Sequence, residues 1–216
     1  MNLFSDIEPE EIKKMLACSK ASRRELSAGE YVFQQGEHPQ MIFLLEEGDV
    51  ALVKDFASGR RNLLYHVSEN EIFGESVLFA EMSHYWYDAV TMKPSTVLHI
   101  PWKFFYGFCE KACGHHQMIT RNLITILAAK NCNMTKKLHL LGSTNLKEKI
   151  AIYLLENSHE NAEVILSLNR ENLADFIGTT RPSLSRELMN MQAEGLIEVS
   201  KDRIKIIDRD TLETLY

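Results

Sequence analysis

Residues 115–141, HHQMITRNLITILAAKNCNMTKKLHLL, run for 27 positions without a proline or a glycine. A stretch that long, with neither of the residues that break helices, is constrained to one long helix. Leu123, Leu127, Met134, Leu138 and Leu141 recur in it at three- and four-residue spacing, interrupted at Lys130. Ile119, Ile124, Ile126 and Ala128 widen the apolar surface around that stripe. One helix carrying so much apolar surface needs more than one partner. One face is expected to cover a neighbouring β domain, and another a second copy of the chain.

The sequence changes texture on either side of this helix. Upstream, EPEEIKKMLACSK places Ile12, Met15 and Leu16 at helical spacing. From Glu30 to about Pro101 come short β-rich runs, YVFQ, MIFLLEEG, DVALVKDF, RNLLYHV and TVLHI, separated by turn sequences such as EEGD and ASGR. That rhythm predicts an antiparallel sandwich or barrel. Downstream, LGSTNLKEK interrupts the helix. Asn145, with Glu148 three residues later, has the spacing of a capping box opening the next helix, which places a hinge at Gly142 to Asn145.

The segment NRENLADFIGTTRPSLSRELMNMQ, residues 169–192, then predicts two short helices around a glycine turn. Asn169 is a good N-cap for the first, and Leu173, Phe176 and Ile177 give it an apolar face. Gly178 permits the sharp turn. Thr180 caps the second helix, with Pro182 in its first turn where a missing N–H costs little. Leu184, Leu188 and Met191 share one face of that helix. Pro182, Arg186 and Asn190 lie opposite, Ser183 is near the border and Arg181 is at the tip. This is the helix-turn-helix pattern, whose second helix enters the DNA major groove by its N-terminal residues. Arginines suit guanine O6 and N7, while hydroxyls and helix N-terminal N–H groups suit phosphates. AEGLIEVSKDRIKIID follows as two short β runs, a small hairpin wing. Arg170, Thr180, Arg181, Ser183, Ser185 and Arg186 are the candidate DNA-binding residues.

The order of β-sandwich, long helix and winged helix-turn-helix resembles the Crp/Fnr family of bacterial transcription regulators over essentially the whole chain. AGEYVFQQGEHPQMIFLLEEGDVALV, the FGE at 73–75 and NRENLADFIGTTRPSLSREL carry the resemblance, and the region from Glu81 to His116 matches loosely. It implies an α+β chain: a cyclic-nucleotide-binding-like antiparallel jelly roll over 1–114, a dimerisation helix and hinge over 115–144, and a winged helix-turn-helix DNA-binding domain over 145–216. It implies a homodimer on a roughly palindromic double-stranded operator, with RNA polymerase as a partner if the protein activates. Arg181 and Arg186 match family arginines of the recognition helix, and Ser185 a frequent serine. Pro182 stands where many members carry a base-contacting glutamate, which implies a different operator preference there.

The effector is less legible. Cyclic-nucleotide sensors of the family follow a Gly-Glu pair with an arginine and a small hydroxyl residue that hold the phosphate. Gly74 and Glu75 are present, but Tyr85 and Trp86 occupy the best-matched arginine and serine positions, and no arginine lies between Arg61 and Arg121. A buried cyclic phosphate without a guanidinium would be costly to desolvate. The effector is therefore expected not to be a cyclic nucleotide but a small molecule, a haem or metal, or a redox signal. A cyclic-nucleotide-responsive regulator with an atypical phosphate cassette is the alternative. Pocket candidates are Gly74, Glu75, Ser76, Tyr85 and Tyr87. Extending the match through the long helix adds Lys130 and Asn131, near the hydroxyl pair that reads adenine in nucleotide-binding members. In SHYWYDAV the three consecutive rings either line a pocket or pack from a strand, alternating in and out.

Metal chemistry has one candidate, CEKACGHH, with Cys109, Cys113, His115 and His116; plain packing is the competing account. His84 is either a haem ligand or a solvated side chain. The iron–sulfur sensors of the family carry an N-terminal cysteine cluster, and only Cys18 lies there, which disfavours that cluster; the sequence names no cofactor. A cupin-like enzyme is disfavoured because His38, His66, His84 and His99 are isolated, and no catalytic motif stands out. A nucleotide-binding module of a kinase or channel is disfavoured by the C-terminal winged helix. The net charge of −6 does not exclude DNA, since binding depends on local phosphate contacts. No 18-residue apolar run occurs and the N-terminus, MNLFSDIEPEEIKK, is unlike a signal peptide, so a cytoplasmic chain without membrane contact is expected.

Overall fold

The computed structural model describes residues 2–106, 114–158, 162–166, 169–201 and 203–215, with Tyr106 and His115 described in their backbone only. The elements run α1 (Pro9–Ser19), β1 (Ser22–Leu26), β2 (Tyr31–Phe33), β3 (Met41–Glu47), β4 (Val50–Asp55), β5 (Arg61–Val67), β6 (Ile72–Phe73), α2 (Glu75–Phe79), β7 (Asp88–Thr91), β8 (Ser95–Pro101) and α3 (Lys103–Tyr106). They continue with α4 (Gly114–Gly142), α5 (Leu146–Asn157), β9 (Glu163–Ile165), α6 (Arg170–Ile177), α7 (Arg181–Ala193), β10 (Ile197–Val199), β11 (Arg203–Ile206) and α8 (Arg209–Glu213).

Two compact units result, Met1–Ala128 and Ala129–Tyr216. The division falls inside α4, upstream of the hinge read from the sequence. The reason is packing: Ile119 and Leu123 join the core of the first unit, and Leu140 that of the second.

The first unit is built on two four-stranded antiparallel sheets, ordered β1-β8-β3-β6 and β2-β7-β4-β5. Strand β3 shows how they stack. Phe43 and Leu45 face the interior of the sandwich with Phe33, Val50, Phe73 and Val97. Ile42 and Leu44 face the other way, with Leu98 and Ile100, onto Leu3, Met15, Ile119 and Leu123. Because the sheet is covered on both faces, MIFLL reads as a continuous apolar run rather than an alternation. Asn122, buried on α4, donates from Nδ2 to the carbonyls of Leu3 (3.1 Å) and Ser5 (2.8 Å), fastening the N-terminal turn.

Several elements are additional to the sequence reading: β1, β6, α2, α3, β9 and α8. The aromatic run differs as well. Tyr85 and Tyr87 are buried and Trp86 is 46% exposed, so the rings alternate as in the packing alternative, but they precede strand β7 instead of lying on it.

The second unit packs α5, α6, α7 and α8 around Leu140, Ile150, Leu154, Leu173, Leu184 and Leu188. Its three-stranded antiparallel sheet, β10-β11-β9, contains the expected hairpin plus β9, which pairs with β11.

Candidate nucleic-acid interface

Asn169 caps α6, its Oδ1 accepting from the N–H groups of Glu171 (3.0 Å) and Asn172 (2.8 Å). The helix ends at Gly178, whose φ of 76° is in the left-handed region where glycine is unstrained. A Cβ there would also stand 3.1 Å from Leu141 Cδ2, so turn geometry and close packing both ask for glycine. Thr180 caps α7: its Oγ1 accepts from Ser183 N–H at 3.4 Å and donates to Ser183 Oγ at 2.9 Å. Leu184, Leu188 and Met191 are buried, which fixes the rotation of α7 about its axis. That rotation leaves Arg181, Pro182, Ser185 and Arg186 exposed at its N-terminal end.

The candidate residues therefore fall into two groups. Arg181, Ser185 and Arg186 stand out from the helix tip, whereas Thr180 and Ser183 engage each other in the cap. Arg170 belongs with neither. It is half-buried at the start of α6, and its Nη2 donates to the carbonyl of Ser200 at 3.1 Å, in the turn between β10 and β11. Burial lowers its pKa from the ordinary arginine value. Its placement is that of a brace between α6 and the wing turn. The periodicity of the sequence located α6 but carried no signal for this long-range contact.

Asn190, on the outward face, donates to Glu187 at 3.3 Å. On the wing, Lys201, Arg203 and Lys205 are exposed, and Arg203 lies 3.7 Å from Glu163. The exposed cations of α7 and the wing give this part of an acidic chain the local charge that phosphate contact requires.

In the first unit, Gly74 has a φ of 80° and caps α2. A Cβ on it would meet the Phe43 ring at 2.9 Å and Tyr85 Oη at 3.4 Å, so packing alone demands glycine here. Glu75 is buried and Ser76 exposed. Tyr85 stacks on Phe33 with ring centroids 3.8 Å apart and 16° between planes, and donates to the Met41 carbonyl at 3.5 Å. Burial raises its pKa and pushes that of Tyr87 up to about 12, against a lowering hydrogen bond from Ser76. Gly74, Glu75, Tyr85 and Tyr87 thus gather around the aromatic interior of the sandwich.

Lys130 and Asn131 belong to the second unit, half-buried and exposed respectively on α4. One residue of the interior was not singled out by sequence: His99, buried on β8 with its ring edge-on to Phe43 at 4.9 Å. Burial, aided by Arg24, holds its pKa down at about 4. An isolated histidine in TVLHI gave no signal of this, since its burial depends on sheet stacking.

Cys109 and Cys113 lie outside the described residues, as does the His115 side chain; His116 is half-buried, its ring 4.5 Å from that of Phe104. Among the described residues no three metal-ligating side chains converge. His84 is exposed, its ring 4.3 Å from that of His38. No described helix is long and apolar enough to cross a membrane.

Comparison with known proteins bears on both units. The cyclic nucleotide-binding domain family matches residues 23–112, and the Crp-like helix-turn-helix domain family residues 148–215. The "Cyclic AMP receptor protein" of Thermus thermophilus is 24% identical over 213 residues, covering 99% of this chain and 95% of that one. The "Transcriptional regulator LdrP" of the same species is 28% identical over 192 residues, covering 85% and 91%. Among solved structures, a CooA mutant from Carboxydothermus hydrogenoformans superposes with a TM-score of 0.63 at 17% identity, covering 99% and 95%, which bears on the fold alone.

Proposed function

Because the chain belongs to the Crp/Fnr family of DNA-binding transcription regulators and is not an enzyme, we propose that it acts as a homodimer, each α7 reading one half of a roughly palindromic operator. The observation that carries this is the recognition-helix tip. Leu184, Leu188 and Met191 are buried beneath it, while Arg181, Ser185 and Arg186 point outward around the Thr180 cap. Arg181 and Arg186 take base edges and phosphates, Ser185 a phosphate or base, and the capped helix end offers its dipole to a phosphate. Thr180 and Ser183 build the cap that aims them. Arg170 holds the wing turn against α6 through Ser200. Pro182 presents no donor or acceptor, so the operator differs from that of family members with glutamate there. RNA polymerase is the further partner if the protein activates.

The sensor reads something other than a cyclic nucleotide. Tyr85, at the best-matched position of the phosphate-binding arginine, is stacked into the core on Phe33, and no arginine occurs between Arg61 and Arg121. A cyclic-nucleotide effector with an atypical cassette is the second reading, favoured by the domain match over 23–112 and by the name of the Thermus relative.

Two experiments test these readings. Selection from a random duplex pool should enrich an inverted repeat whose half-sites lie about one helical turn apart, roughly 34 Å, or a multiple of it. Recovery of no common sequence would contradict the operator assignment. Titration calorimetry with cyclic AMP should show no binding in the micromolar range. Micromolar binding with a matching gain in operator affinity would establish the second reading instead.

A further inference from the structure

His38 and His84 are far apart in sequence, one in the loop between β2 and β3, the other in the segment between α2 and β7. The fold brings their rings together, with centroids 4.3 Å apart and 35° between planes. Backbone hydrogen bonds set that approach. Gly36 N–H donates to the Tyr85 carbonyl at 2.8 Å, and Tyr85 N–H to the Glu37 carbonyl at 2.9 Å. Gln35 N–H donates to Asp88 Oδ1 at 2.7 Å, and Lys54 Nζ donates to Gln35 Oε1 and to the Trp86 carbonyl, which ties the two segments a second time. Pro39 restricts the backbone of His38, and Tyr85, stacked on Phe33, anchors that of His84.

We propose that His38 and His84 form a two-histidine site for a divalent late first-row transition metal ion such as Zn(II). The site is open to solvent and clamps the loop after β2 to the segment before β7. It is independent of the DNA reading above and goes beyond the sensor reading, which specifies no ligand.

The donor set decides the ion. Imidazole nitrogens suit zinc, copper and nickel, whereas calcium and magnesium require oxygen ligands. Among the described residues no third histidine, cysteine or carboxylate converges with the pair, so water completes the coordination, as at exchangeable zinc sites. Ser83 supplies the outer partner, its Oγ lying 2.9 Å from His84 Nδ1. With the Nδ1 proton donated to that hydroxyl, Nε2 keeps the lone pair that a metal ion needs. Metal-ligating histidines are usually held in this way, by a hydrogen bond from the other ring nitrogen.

Both histidines are exposed, so a turn about χ2 that converges two ring nitrogens on one ion disturbs no packing. Rings in stacking contact leave no space for a porphyrin between them, which separates this site from a haem pocket. Tyr85 directly follows His84, so an ion on the pair holds the segment that places Tyr85 in the aromatic interior.

The test is calorimetric titration of the full chain, its thiols reduced, with Zn(II) alone in a non-chelating buffer, alongside His38→Gln, His84→Gln and Ser83→Ala. The unaltered chain should bind Zn(II) in the micromolar range. Each histidine variant should weaken that binding at least about tenfold, and Ser83→Ala by about tenfold through loss of the outer hydrogen bond. All four proteins should give the same circular dichroism, since the altered side chains are exposed. Co(II) in place of Zn(II) should show the weak d–d absorption of nitrogen and oxygen ligands. An intense thiolate-to-cobalt band accompanying the first equivalent would move the site to the cysteines and overturn the proposal. Absence of micromolar binding, or an affinity that neither histidine variant lowers, would overturn it as well.

Discussion

His99 couples the stability of the β domain to pH, and the size of the effect follows from its burial. The side chain is 7% exposed beside Phe43, and burial holds its pKa at about 4 against the usual 6.5. The folded state thus binds this proton less readily than the unfolded chain. Between those values the unfolded chain is the more protonated, so stability rises with pH and is lost as pH falls from about 6.5 toward 4. The whole difference corresponds to about 3 kcal/mol, and at pH 5 about 2 kcal/mol has gone. Both tryptophans, Trp86 and Trp102, lie in the first unit, so their fluorescence reports its unfolding. Urea titrations at pH 7 and pH 5, on the native chain and on His99→Leu, isolate the contribution from the other groups that titrate there. The native chain should lose about 2 kcal/mol more than the variant between the two pH values. Equal losses would refute the assignment of a neutral, desolvated imidazole.

The turn and the cap of the reading head give further expectations. Gly178→Ala forces a Cβ into left-handed backbone beside Leu141 and should cost roughly 1–2 kcal/mol or more, read by circular dichroism during denaturation. No loss would mean the turn differs from the one described. Thr180→Ala removes the cap on Ser183 N–H and should cost about 1 kcal/mol by the same assay, with weakened operator binding. Arg170→Ala, which frees the wing turn from α6, should weaken operator binding while leaving the slope of affinity against salt nearly unchanged. A slope reduced by about one would instead identify Arg170 as a phosphate contact.

What was legible in the sequence was whatever depends on local periodicity and capping. Asn145, Asn169, Gly178 and Thr180 mark helix ends by rules that act within four residues, and each sits at the end it marks. Strand β3 was legible because five apolar residues in a row have few alternatives to burial. Strand β1, SRREL, was not: four of its five residues are exposed, and it is held by pairing with β8 some 70 residues on. Strand β9 was hidden for the same reason, through its partner β11. At the candidate interface, helical spacing was enough to place Arg186 on the outward face and Arg181 at the tip, whereas Ser185 was reached through the family resemblance and its exposure comes from the fold. The contact of Arg170 with Ser200 and the burial of His99 are products of tertiary packing, and no pattern of neighbours encodes them.

On the reading proposed above, the exposed tip of α7 reads DNA sequence. Fluorescence anisotropy at physiological salt, on the selected operator and on a scrambled duplex, tests it most directly with the native chain and Arg186→Ala. The native chain should prefer the operator by at least about a thousandfold. Arg186→Ala should lose that preference while keeping its weak affinity for the scrambled duplex and its dimeric mass. Undiminished preference in Arg186→Ala would refute the assignment of α7 as the reading helix, because an exposed arginine at its reading end would then contribute nothing to the reading.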